Sequence, residues 1–229
     1  MRKNRLVVAA LATAFTAVLA APAAAQAAVI PVGPSIIGGS TASAAPWTAA
    51  VFSDGAFWCS GTIISPNYVL TATHCISGTM SVRVGSLSRT TGGFTSAVTS
   101  TSTRYDLALM KLATPITTTY MALSSSYPPV GSTNSIYGWG RTCNSGCAAS
   151  TVLKTATVRV TSTNQVDNGG GRAILSSMIS GAAWSGDSGG PETYNGVQVG
   201  VASLADGVSQ QIYGSVAYNR SWITSVAGV

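Results

Sequence analysis

Short β-branched or alternating runs recur along the chain, at VLTAT (69–73), SVRVGS (81–86), DLALMKL (106–112), TATVRVTS (155–162), GVQVGVAS (196–203) and IYGSVA (212–217). A period of two marks strands with one buried face, and the Gly, Ser, Pro and Asn clusters between the runs supply turns. The pattern predicts an all-β protein made of many short strands. Residues 114–131 interrupt it with Pro115, Pro128 and Pro129, which predicts an extended linker and a domain boundary. The spacing becomes helical only near the end, where Tyr218, Trp222, Ile223 and Val226 share one face. There Asn219 is the expected cap and Gly228 the expected stop of a helix over about 218–227. No internal sequence repeat is visible.

The first residues follow a different rule. MRKNR is basic, Leu6 to Ala21 is an apolar run of 16 residues, and small-residue cleavage sites follow at 23–25 and 25–27. That run is short for a membrane span of roughly 20 residues. The pattern predicts a signal peptide over 1–27, a secreted extracellular product, and no membrane in the mature form. Removing Arg2, Lys3 and Arg5 lowers the formal charge from +6 to +3, and no basic run remains, so nucleic-acid binding has little support. From Ile36 onward 194 residues remain, ample for one all-β unit or two small barrels. Four cysteines in an exported chain predict two disulfides, with three pairings open. The alternative for Cys143 and Cys147 is metal binding or free thiols, which the absence of a nearby histidine disfavours.

The candidate chemistry rests on one imidazole. His74, in VLTATHC, is the only histidine, and GDSGGP with Ser188 follows more than a hundred residues later. A histidine is the usual base for a serine nucleophile. The six acids are Asp54, Asp106, Asp167, Asp187, Glu192 and Asp206. Asp106 opens the apolar run DLALMKL and can be carried into a buried position, where it would orient the imidazole. The chain order is then His74, Asp106, Ser188. An α/β-hydrolase needs its histidine after the serine, and the subtilisin order needs an acid before the histidine, where only Asp54 is available. His, Asp, Ser is the chymotrypsin order.

IIGGSTASAAPWTAAV (36–51), CSGTIISPNYVLTATHC (59–75), YDLALMKLATPI, YGWGR, GDSGGP and SWITSV fall in register with one family. The chain resembles a secreted, chymotrypsin-like serine endopeptidase of the trypsin family, and a bacterial source is expected. The resemblance covers Ile36 to Val229 and implies two packed six-stranded antiparallel Greek-key barrels with a C-terminal helix. These would be a first barrel at about 36–115, a linker at about 116–131 and a second barrel at about 132–217. It implies pairing of Cys59 with Cys75 and of Cys143 with Cys147. One departure is Thr73, where the family usually has alanine.

The resemblance also assigns roles. Ser188 would attack a peptide carbonyl, His74 would shuttle the proton, and the amides of Gly186 and Ser188 would form the oxyanion hole. Ser203 matches the serine beside the buried aspartate. Cleavage after Ser35 would free an ammonium at Ile36 to pair with Asp187, making 28–35 a short propeptide. Trypsin-like members bind Arg or Lys through an aspartate at the position held here by Ala182, and Trp184 replaces a cysteine that normally braces the pocket. With Ala183, Ser203, Leu204, Ala205 and Gln211 as the other substrate-binding positions, a neutral, restricted pocket for small or medium residues is expected. Asp206, the one nearby acid, is expected at the rim. No cofactor or metal is implied, and 76–105 lack the acids a calcium site needs. Protein or peptide substrates, proteinaceous inhibitors and a monomeric state complete the expectation. An esterase-biased hydrolase and a noncatalytic binding homologue are the alternatives.

Overall fold

A computed structural model describes residues 36–229. The expected signal peptide and propeptide lie outside them. The first half contains β1 (Ser40–Thr41), β2 (Thr48–Ser53), β3 (Ala56–Ser65), β4 (Tyr68–Ala72), β5 (Met80–Val84), β6 (Phe94–Arg104) and β7 (Leu107–Leu112). The second contains β8 (Thr133–Gly138), β9 (Lys154–Val166), β10 (Arg172–Met178), β11 (Pro191–Tyr194), β12 (Val197–Ala205) and β13 (Gln210–Ser215), followed by helix α1 (Val216–Ala227).

Strands β2 to β7 close a barrel in the order β2-β3-β4-β7-β6-β5. Strands β8 to β13 run β8-β9-β10-β13-β12-β11, with β11 returning to β8, and β1 adds to the outside of β9. Counted within each half, the two strand orders are the same, and every strand pairing is antiparallel. The molecule is therefore two six-stranded barrels with one topology, a duplication that leaves no visible trace in the sequence.

The alternation does its expected work in β5, where Met80, Val82 and Val84 point inward and Ser81 and Arg83 do not. In β7 every residue except Lys111 is buried, so the strand reads as a continuous apolar run. The reason lies partly in α1, whose Val216 and Ile223 join the first-barrel core with Leu107, Leu109 and Met110. The connection after β7 carries no regular strand, yet it is tied on both sides: Met121 N donates to Ile63 O, and Ser124 N donates to Gln198 O.

The helix starts two residues earlier than the spacing predicts. Ser215 is its cap, accepting from Tyr218 N at 3.2 Å, whereas Asn219 is a buried interior residue that donates to Ser215 O at 2.9 Å. Polarity at 219 signals a buried partner for the first turn, not a helix start. Gly228 does end the helix, in the left-handed conformation at φ 74°.

Candidate active site

His74 sits in a single 3-10 turn (Thr73–Cys75) at the end of β4, and Asp106 in the tight turn between β6 and β7. Tyr105 takes φ 54° there, so the chain reverses sharply and delivers the Asp106 carboxylate inward. Asp106 is 2% exposed. Its oxygens lie 3.0 Å from His74 Nδ1, and Oδ1 also accepts from the His74 backbone amide at 3.2 Å. Ser203 Oγ donates to Asp106 Oδ2 at 2.5 Å and itself accepts from Asn168 N at 3.0 Å. That last bond fixes the direction of the Ser203 proton, because the Asn168 amide can only donate. Thr73, the departure from the family pattern, finds its own partner: its Oγ1 donates to Leu107 O at 2.9 Å, tying the histidine turn to β7. The disulfide Cys59–Cys75 closes the same segment onto β3.

Ser188 lines the same cleft as His74. No hydrogen bond joins the two among the described residues, although such bonds are often long before substrate is present. The loop that carries Ser188 is pinned from β3: Ser60 N donates to Ser188 O at 2.9 Å, and Ser60 Oγ donates to Gly186 O at 2.9 Å. Gly186 adopts φ 98°, a conformation that favours glycine. Among the described residues, neither Gly186 N nor Ser188 N donates to a protein acceptor, so both amides are available beside the serine.

Asp187 is buried, with Oδ1 accepting from Gly140 N and Oδ2 from Trp184 N. Burial pushes its pKa up to about 7, against the lowering effect of those two amides. Ile36 lies in the core of the second barrel with Ile136, Val158 and Tyr213. No hydrogen bond or ion pair connects it to Asp187 among the described residues. In the uncut chain its nitrogen belongs to a peptide bond.

Gln211, one of the expected substrate-binding positions, does not itself line the cleft that holds His74 and Ser188. Gln211 is fully enclosed: Ala183 N donates to its Oε1 at 2.8 Å, and its Nε2 donates to Ser176 O at 3.1 Å. Ala182 is also fully buried, with its amide on Ile37 O, and does not line the cleft either. Ala183, Ser203, Leu204 and Ala205 line the cleft, and so does Asn168, which sequence reasoning did not single out. Asp206 is spent on its own turn, where Oδ1 accepts from Val208 N, Ser209 N and Gln210 N. Trp184 packs its ring onto Gly207, where an added Cβ would overlap the indole; a stacked side chain braces this wall, where the family usually has a disulfide. The second disulfide, Cys143–Cys147, closes the short loop after β8.

The chain matches known proteins over most of its described length. The family model described as trypsin matches residues 36–223. The chain belongs to the trypsin family. Trypsin delta of Drosophila melanogaster is 33% identical over 223 residues, spanning 84% of this chain and 88% of its own. Trypsin iota of the same fly is 31% identical, with 84% and 88% covered. These relatives are insect proteins and lend no support to a bacterial source. Among solved structures, human heparin binding protein aligns with a TM-score of 0.74 at 24% identity, covering 84% of this chain and 96% of that one. An inactivated protease paralogue of the scabies mite aligns at 0.73 and 23%, covering 84% and 97%. Both share the two-barrel fold. Within the trypsin family this chain is a serine endopeptidase with a chymotrypsin-like fold.

Proposed function

We propose that the chain is a secreted endopeptidase in which Ser188 attacks the peptide carbonyl, His74 carries the proton and Asp106 holds the imidazole. The observation that carries this is the buried Asp106 carboxylate at 3.0 Å from His74 Nδ1, with Ser188 and the unengaged Gly186 and Ser188 amides on the same cleft. An acyl-enzyme forms on Ser188 Oγ as His74 gives the proton to the leaving amine; water then reverses the roles. The two amides face the developing oxyanion, each worth about 10² to 10³ in rate. Conversion of Ser188 to alanine should leave a folded protein with almost no proteolysis, measured beside the parent after matched purification. Retained turnover would overturn the assignment.

The same reading covers specificity. Gln211 is fully engaged with Ala183 N and Ser176 O, and Ala182, where trypsin-like members carry an aspartate, supplies no charge, so the residue before the scissile bond is small or medium and neutral. A buried cation without a counter-charge would cost several kcal/mol. The relatives' name, trypsin, goes with the opposite preference, for Arg or Lys. Values of kcat/KM for peptides differing only at that residue decide between the two: Ala, Val or Leu should exceed Arg and Lys. A tenfold advantage for Arg or Lys would refute the pocket assignment.

Activation follows from Asp187. Cleavage before Ile36 frees an ammonium that ionises this carboxylate, whose present partners are two neutral amides. N-terminal sequencing of active enzyme should give IIGG.

A further inference from the structure

Two clefts meet at His74, Ser185 and Ser188, of about 350 and 290 Å³. The first holds the pocket described above. Because the acyl half of a substrate occupies that side of Ser188, the leaving half departs across the second, past Phe57, Trp58, Arg141, Ala148 and Ala149. Its floor is apolar, with Trp58 52% exposed. Its charge is of one sign.

Arg141 is exposed, and its guanidinium has no hydrogen-bond or ion-pair partner among the described residues. Its backbone, however, is held: Arg141 N donates to Ser185 O at 2.8 Å, and the residue bridges to Ala149. A second cation reinforces it. Arg89 donates to Ser150 O and Ala149 O and stacks over the Phe57 ring at 4.5 Å, placing its charge beneath the same wall. No acid lines this cleft. Of the six acids, Asp106, Asp167, Asp187 and Glu192 are buried, and the two exposed ones are committed elsewhere, Asp54 to Thr79 N and Asp206 to its own turn.

We infer that this cleft is a carboxylate-selecting subsite, in which Arg141 favours substrates carrying a carboxylate one or two residues beyond the scissile bond. The inference rests on Ser188 being the nucleophile. An exposed charge pair of this kind is worth a few-fold in rate and weakens with salt. The carboxylate can come from an internal Asp or Glu or from a substrate's own C-terminus, and the two are separable.

The test uses internally quenched peptides with one acyl half and Glu, Gln or Lys at each of the two following positions. A shortened pair ends there in a free carboxylate or an amide. Active sites are counted with a serine-directed phosphonate. Glu should exceed Gln by at least threefold in kcat/KM at low ionic strength, and Lys should fall below Gln. The advantage should shrink in 0.5 M salt, vanish in Arg141→Gln and invert towards Lys in Arg141→Glu. Preference confined to the shortened acid would assign the site to C-terminal carboxylates. Equal rates in the parent, or a preference that survives Arg141→Gln, would overturn the inference while phosphonate labelling leaves Ser188 in place. A parent that the phosphonate does not label overturns both.

Discussion

Asp106 accepts from the His74 amide, His74 Nδ1 and Ser203 Oγ, which leaves it little freedom to turn. Replacing it by Asn presents an N–H where the imidazole must be met by an acceptor, so the ring adopts the other tautomer. In a related triad that change costs about 10⁴ in kcat. The same loss is expected for Asp106→Asn, with KM little changed, in steady-state kinetics on phosphonate-titrated enzyme; a loss below tenfold would point to another acid. On the proposed reading, Gln211 is the matching residue for specificity. Gln211→Gly frees Ala183 N and empties the space behind this cleft-lining residue, and kcat/KM for Leu or Phe should rise at least tenfold relative to Ala in a matched peptide series. An unchanged ratio would mean that the pocket ends elsewhere.

At the scale of elements, the turn between β9 and β10 holds Asp106 from behind. Asp167 Oδ1 accepts from Gly169 N and Gly171 N, which folds the turn onto Tyr105 and Asp106. A Cβ on Gly169 would overlap the Tyr105 carbonyl carbon and the Asp106 amide nitrogen, whereas one on Gly170 would meet nothing within 4 Å. Gly170 instead needs φ 83°. The two glycines therefore fail differently. Gly169→Ala should displace Asp106 and lower kcat/KM at least tenfold per titrated site. Gly170→Ala should cost about 1 kcal/mol of stability through its left-handed backbone, with kcat/KM within about twofold of the parent. Thermal unfolding beside titrated kinetics separates them, and the idea fails if both variants lose activity equally. The helix offers a simpler case: Ser215→Ala removes its cap and should cost about 1 kcal/mol, or 2–4 °C in Tm.

At the scale of the whole molecule, four of the six acids are buried, and two of them, Asp187 and Glu192, set the pH response of stability. Burial raises both Asp187 and Glu192 to about 7. Glu192 Oε1 accepts from Asn134 Nδ2 and Ser176 Oγ, and Oε2 has no partner among the described residues. A folded-state pKa above the unfolded value means that the native state holds protons the unfolded chain has released. The contribution is complete below about pH 4 and is lost as pH rises through 7. Glu192→Gln cannot ionise, so its Tm should exceed the parent's by a few degrees at pH 8 and converge with it near pH 4. A constant difference across that range would show that packing, not ionisation, sets the effect. In the uncut chain Asp187 should add a similar dependence, and on the proposed activation, pairing with the Ile36 ammonium would remove it.

The sequence by itself determined what local chemistry can specify. Period-two alternation announced short strands, Gly228 announced the helix end, and a lone histidine with six acids and GDSGGP narrowed the reactive side chains to a few. Closure of each half into a six-stranded barrel with one strand order depended on pairings distant along the chain, such as β5 with β2 and β11 with β8. Asn219 misled because a buried polar residue and a capping one look alike until the fold supplies the neighbours. The turn behind Asp106, the Trp184 ring on Gly207 and the unpaired Arg141 beside Ser188 leave no motif, since each depends on which loops meet. Propensity and alternation act between neighbours; sterics, burial and charge balance act across space, and only the tertiary structure decides them.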